Sequence, residues 1–234
     1  MTEAQFAVVR YIRKLSVDRA SRGLLFMIIG MLASGVPIIQ PVGSLIALTG
    51  VIWYVLGRDP FGEKQSNYTK LAAVLFFLGL AFSLVGSMGF LVFVLSLENT
   101  TLPIWAWWGN DALAWALISS LNWILEIQIF GALTTGLAYG LFTYQLQRPI
   151  GRALLLLGVV INIATNILIF STLNSSIPSN SARYVLSFDS QAAHNFADQA
   201  LPLGMLNLIP AMVYAGAYYH LYSRIREGLL PAPI

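Results

Sequence analysis

Long apolar stretches without charge constrain this chain more than any other feature. Residues 23 to 57 contain no Asp, Glu, Lys or Arg, and further apolar blocks run from about 71 to 97, 113 to 145, 153 to 173 and 201 to 222. In hydrocarbon each peptide group has to find its hydrogen bond within the chain, so such blocks are read as spanning helices of about 20 residues. Only 10% of the residues are charged, against about 25% in an average soluble domain. That is too little charge for a soluble surface, and no second, soluble domain is visible.

The block from 23 to 57 is too long for one crossing. Its middle reads Gly35-Val-Pro37-Ile-Ile-Gln-Pro41-Val-Gly43, where two prolines and two glycines favour a turn. It divides into helices of about 23 to 38 and 42 to 57. The expected fold is therefore an all-α, polytopic membrane bundle of six transmembrane helices, with connections at 58 to 70, 98 to 112, 146 to 152 and 174 to 200. Basic residues near helix ends stay in the cytoplasm. With the N-terminus inside, the inner segments hold Arg10, Arg13, Lys14, Arg19, Arg22, Arg58, Lys64, Lys70, Arg148, Arg152, Arg224 and Arg226, and only Arg183 falls outside. Merging the first two helices destroys that separation. Both termini are thus expected to be cytoplasmic in a multipass protein of the cell membrane, with residues 223 to 234 as a short tail.

Residues 1 to 22 lack the continuous apolar core and the cleavage site of a secretory signal, so the N-terminus is expected to be retained. Phe6, Val9, Ile12 and Leu15 alternate with basic residues. This pattern fits a helix on the inner membrane surface, or a solvated basic leader that only sets orientation. Trp53, Trp105, Trp107, Trp108 and Trp115 sit near helix ends as interfacial anchors. The chain has no cysteine and a formal net charge of only +3. Disulfides, thiolate metal sites and thiolate catalysis are excluded, and the clustering of basic residues beside apolar blocks argues for membrane topology, not nucleic acid.

Glu126 is the one charge placed well inside the membrane, where a bare carboxylate is costly enough to need partners or a proton. Ser119, Asn122 and Glu126 share a face that continues as Phe130, Leu133 and Leu137. Asn162, Thr165 and Asn166 on the fifth helix, and Asn207, Tyr214 and Tyr218 on the sixth, are expected at comparable depth around it. Such a cluster is either a proton or cation site or a set of hydrogen bonds joining helices. Gly79, Ser83 and Gly86 form a small-residue seam, as do Gly136 and Gly140, and both predict close helix packing.

His194 and Asp198, with Asp189 nearby, have a spacing open to a metal, but loop residues or a helix cap explain them as well. His220 lies a membrane thickness from His194, which argues against bis-histidine haem. Asn99 and Asn174 begin glycosylation acceptor triplets in outer loops, and Asn67 begins one inside. Asn110 and Asp111 read as a helix cap. Motifs for nucleophilic, zinc or phosphate chemistry are missing, so an enzyme is the least favoured class and no cofactor is expected.

The hairpin Ile28-Ile29-Gly30 through Pro37, Gly43, Gly50 and Val51-Ile52-Trp53-Tyr54, followed by Asp59-Pro60-Phe61-Gly62, resembles uncharacterised archaeal multipass membrane proteins over residues 23 to 90. The loops at Trp105 to Trp108 and 174 to 200 lie outside that pattern. The resemblance implies an archaeal membrane setting and transfers no activity or site residue. Taken together, the sequence points to a structural or accessory subunit packing in the bilayer against other subunits or copies of itself. A proton-coupled or cation transporter centred on Glu126 is the alternative, and a membrane enzyme using an outer-loop metal is third.

Overall fold

Pro37 and Pro41 break the first apolar block as turn chemistry requires. In the computed structural model, which describes residues 3–98, 111–176 and 202–230, helix α1 runs over Glu3–Ser34, a single 3₁₀ turn over Pro37–Ile39, and α2 over Gln40–Leu56. Then follow α3 (Glu63–Glu98), α4 (Asp111–Phe142), α5 (Pro149–Ser176) and α6 (Leu208–Arg226). Among the described residues the fold is all-helical, with no strand.

Glycines decide which helices touch. In the α1–α2 hairpin, Gly23 and Gly30 approach Tyr54 and Ala47, and Gly43, Gly50 and Gly57 approach Ser34, Met27 and Ala20, so closely that side chains would strike backbone. A Cβ on Gly23 would lie 2.5 Å from the Tyr54 nitrogen, and one on Gly50 2.5 Å from the Met27 nitrogen. Both sets recur every seven residues, a period that keeps them on one helix face. The Gly79 and Ser83 seam on α3 packs against Gly131 and Thr135 of α4, and Gly86 against Gln128. Gly136 and Gly140 face Asn162 and Val159 of α5. Both seams expected from the sequence therefore join helices of this same chain.

The remaining packing closes a ring. α6 lies between α5 and α1, whereas α2 and α3 touch only sparsely. Consecutive helices run antiparallel, so Arg58 and Arg148 of the turns at 57–62 and 143–148, Lys64 and Lys70 at the start of α3, the basic stretch of α1 and the end of α6 gather at one end of the bundle, here the basic end. Among the described residues four helical segments are long and apolar enough to cross a membrane: Pro37–Leu56, Glu63–Gly86, Trp123–Leu146 and Pro149–Leu173. Their outward faces carry exposed Leu45, Val74, Leu84 and Ile167, as a hydrocarbon solvent requires. α1 and α6 are less apolar, since α1 carries its basic stretch and α6 is rich in tyrosine and ends in Arg224 and Arg226.

Some boundaries differ from expectation. Residues 3–34 form one helix without a break near 22, so the basic segment continues the axis of α1 instead of lying as a separate surface helix. Nothing between Arg19 and Gly23 breaks a helix, and the hairpin packing at Ala20 and Gly23 holds the axis straight through them. The expected 58 to 70 connection shrinks to a turn that ends at Gly62, whose φ of 94° suits only glycine. α3 then starts at Glu63, its first two turns polar.

Candidate functional site: a polar vestibule above an aromatic plug

The ring of helices encloses a cavity of about 130 Å³, open on one side and lined by residues from all six helices. It occupies the half of the bundle away from the basic end. Ser34 of α1, Gln40 and Ser44 of α2, and Ser83 of α3 contribute one arc of polar groups; Thr135, Asn162 and Asn207 contribute the other. Among the described residues the lining carries no charged side chain. By the usual space needed for one buried water, such a volume holds roughly ten.

Part of this polar surface is satisfied by the protein and part is not. Ser34 donates to the Gly30 carbonyl one turn back. Asn162 donates to the Ala132 carbonyl at 3.2 Å, and its own oxygen accepts from Asn166 at 3.2 Å. Asn207 occupies the N-cap of α6 without making a side-chain cap bond. With Ser83, Thr135 and Gln40, it has no side-chain partner among the described residues. Donors and acceptors left open in this way, half-buried at Ser83, Thr135 and Asn207 and exposed at Gln40, call for water or a ligand.

Toward the basic end the ring is filled by aromatic rings. Tyr139 on α4 is the hub, with Phe76 at 5.7 Å, Tyr214 at 5.8 Å and Tyr218 at 6.4 Å between ring centroids. Phe142, one turn further on, meets Tyr54 at 6.1 Å and Phe76 at 6.3 Å. These six rings come from four helices, are almost wholly buried, and stack edge to face or tilted as aromatic quadrupoles prefer.

Two of their hydroxyls are spent on α4. Tyr214 donates to the Gly136 carbonyl at 2.9 Å and Tyr218 to the Tyr139 carbonyl at 2.8 Å. Gln65 of α3 donates to the Phe142 carbonyl at 2.5 Å and also lies 3.1 Å from the Tyr54 hydroxyl and 3.0 Å from that of Thr69. Carbonyls 139 and 142 belong to the last turn of α4, which has no partners of its own within the helix. A stripe of α4 backbone, from Ala132 to Phe142, is thus bonded by side chains of α5, α6 and α3. Gln147, 3% exposed, donates to Ala217 of α6 at 2.8 Å, and Arg224 donates to Leu146 at 2.9 Å. Burial holds the Arg224 guanidinium below its ordinary pKa, and Arg148 adds to the shift.

Three members of the expected polar cluster share the cavity, and its acid is not among them. Asn162, Asn207 and Tyr214 line the vestibule, Tyr218 lies in the plug, and Thr165 and Asn166 are buried further along α5. Glu126 does not join them. It is exposed, on a face with Trp123, Phe130 and Leu137, which are 59%, 57% and 44% exposed. At about 100° per residue, Thr135 points the opposite way from Glu126, and Thr135 faces the cavity. The backbone of α4 carries Ser119 and Asn122, and that of α5 carries Asn174, but their side chains lie outside the described residues. Asn99, His194, Asp198 and Asp189 also lie outside them.

Sequence reading missed the aromatic plug, Gln65, Thr135 and the glycine repeat. Only the repeat had a signal, the seven-residue spacing of Gly43, Gly50 and Gly57. No family model matches this chain, and neither a curated protein nor a solved structure is significantly similar to it.

Proposed function

We propose that the chain is a six-span membrane protein, with its basic end in the cytoplasm, that binds a small uncharged polar solute in the vestibule and carries it across the bilayer. The observation that carries this reading is the vestibule itself: all six helices contribute to it, and the side chains of Ser83, Thr135 and Asn207 have no partner among the described residues. The packing of α1 and α6 within the ring supports counting them as spans, because residues 23–34 of α1 carry no charge and Tyr214 and Tyr218 of α6 are buried in the protein. The collection of basic residues at one end supports the orientation. An uncharged lining in a low-dielectric surround favours a neutral ligand, since a charge would lose its hydration without a counter-ion. The plug stops a continuous pore, so passage requires Tyr139 and its neighbours to move, as in alternating access.

The test is swelling of vesicles containing the purified protein in glycerol or urea gradients. Asn162→Leu, which fills the vestibule, is expected to abolish the protein-dependent flux, and Phe142→Ala, which loosens the plug, to raise it. Equal flux with and without the protein would overturn the proposal.

A second reading, an accessory subunit, is favoured by one observation. A carboxylate exposed on a largely apolar helix face is costly in lipid, and the outward stripe of Trp123, Glu126, Phe130 and Leu137 suits a partner helix with a donor for Glu126. A strictly monomeric particle in mild detergent, with its fold intact, would count against it.

A further inference from the structure

We propose that the vestibule is entered from the hydrocarbon, through the seam between α2 and α3, and that its occupant is the uncharged, hydroxyl-bearing head of a membrane lipid. The inference rests on the vestibule being a binding site, and it replaces a free solute by a lipid as the ligand.

The seam is open for a reason written in the glycines. Those of α2 (Gly43, Gly50, Gly57) all face α1, and those of α3 (Gly79, Gly86) face α4. None of these glycines is left to draw α2 and α3 together. The two helices are joined by the short turn at 57–62 and by the Gln65–Tyr54 bond at 3.1 Å, both toward the basic end. They make the sparsest contact of any neighbours in the ring.

The gap leads from an apolar outside to a polar inside. Gln40 and Ser44 form one lip, Leu80 and Ser83 the other, and all four line the cavity. Just outside the lips, Leu45 and Leu84 are 64% and 50% exposed. A water-soluble solute has no use for such an entrance. An amphiphile does, because its tails stay in hydrocarbon between α2 and α3 while the head exchanges water for the open groups of Thr135 and Asn207. Without a cation in the described lining, a phosphate-bearing head would be stripped of water uncompensated, which selects a neutral head. The cavity accommodates one of glycerol size.

A diacylglycerol with a photoactivatable diazirine on its head, in phosphatidylcholine vesicles holding the full chain, tests this. Illumination followed by peptide mapping is expected to find adducts on vestibule residues. Leu80→Trp fills the seam and is expected to lower adduct yield by at least about tenfold, a discrimination of about 1.4 kcal/mol. Ser44→Phe narrows the same gap from α2 and should act alike should Leu80→Trp fail to fold. Leu78→Trp, on the outward face of α3, should leave the yield unchanged. Equal labelling in the wild type and both seam variants would overturn the entrance, and equal labelling by a phosphatidylglycerol probe would overturn the neutral head. Glycerol flux without any lipid adduct would sink this inference and keep the solute reading. Neither flux nor adduct would remove both.

Discussion

The two seams that flank α2 are adjacent in space and are held by opposite means. On one side, Gly43, Gly50 and Gly57 let the backbones of α1 and α2 touch; on the other, α2 and α3 are joined by a turn and a glutamine, and a gap remains above them. In a bilayer, apolar side chains gain nothing by leaving lipid for protein, so close backbone packing and hydrogen bonds determine where helices adhere. Glycine placement is therefore a plan of the ring. It distinguishes the seams that pack backbone on backbone from the one left loose.

Gly50→Leu is expected to break this contrast most severely. Its side chain would have to displace the backbone at Met27 and Gly23, which cannot give as a side-chain end can. The expected loss is about 3 kcal/mol or more, beyond the ordinary range for overpacking, read as a large drop in melting temperature in detergent or as failure to fold. Gly216→Ala is the control. Nothing lies within 4 Å of a Cβ there, and helix propensity predicts a gain of up to about 1 kcal/mol. Equal destabilisation by the two substitutions would show that the glycines do not set the packing.

Gln65→Leu sharpens the comparison at the place where the loose seam is tied. It leaves the Phe142 carbonyl and the hydroxyls of Tyr54 and Thr69 without their shared donor. The expected cost is about 1–2 kcal/mol, between the values for a lost intramembrane bond and for a buried group left unsatisfied. Faster hydrogen exchange at the end of α4 should accompany it, with α1 and α2 unaffected. A uniform increase over all helices would mean that Gln65 supports the whole ring and not this seam.

The helices themselves were legible because apolar length and charge are local properties. The break at Pro37, the second helix and the small-residue seams at Gly79 and Gly136 all follow from neighbours in sequence. The start of α3 was misplaced at 71, since Lys70 bounds the apolar block while the helix begins at Glu63, after Gly62. The site was legible in part. Asn162, Asn207 and Tyr214 line one cavity, as uncharged polar residues inside apolar helices seek protein. Gln65 was hidden by its position in a stretch rich in charge, and the plug by the fact that Tyr, Phe and Leu look alike on a helix apolar all round.

Glu126 shows the limit most clearly, and its substitution carries the smallest expected effect. The stripe from Ser119 to Leu137 was grouped as one face, and the structure places Glu126, Phe130 and Leu137 together on an exposed side, with Leu133 half-buried. Which way that face points was not decided by its own residues, because lipid and protein interior are both apolar. The glycines decide it: Gly131 packs on α3 and Gly136 on α5, which turns Thr135 inward and Glu126 out. Glu126→Gln should therefore change stability by less than about 0.5 kcal/mol in the isolated chain, as at other exposed positions. It should leave solute flux and lipid labelling unchanged. Loss of flux with an unaltered melting temperature would return the acid to the mechanism and make the vestibule a bystander. Loss of a copurifying partner alone would instead mark that face of α4 as the accessory interface.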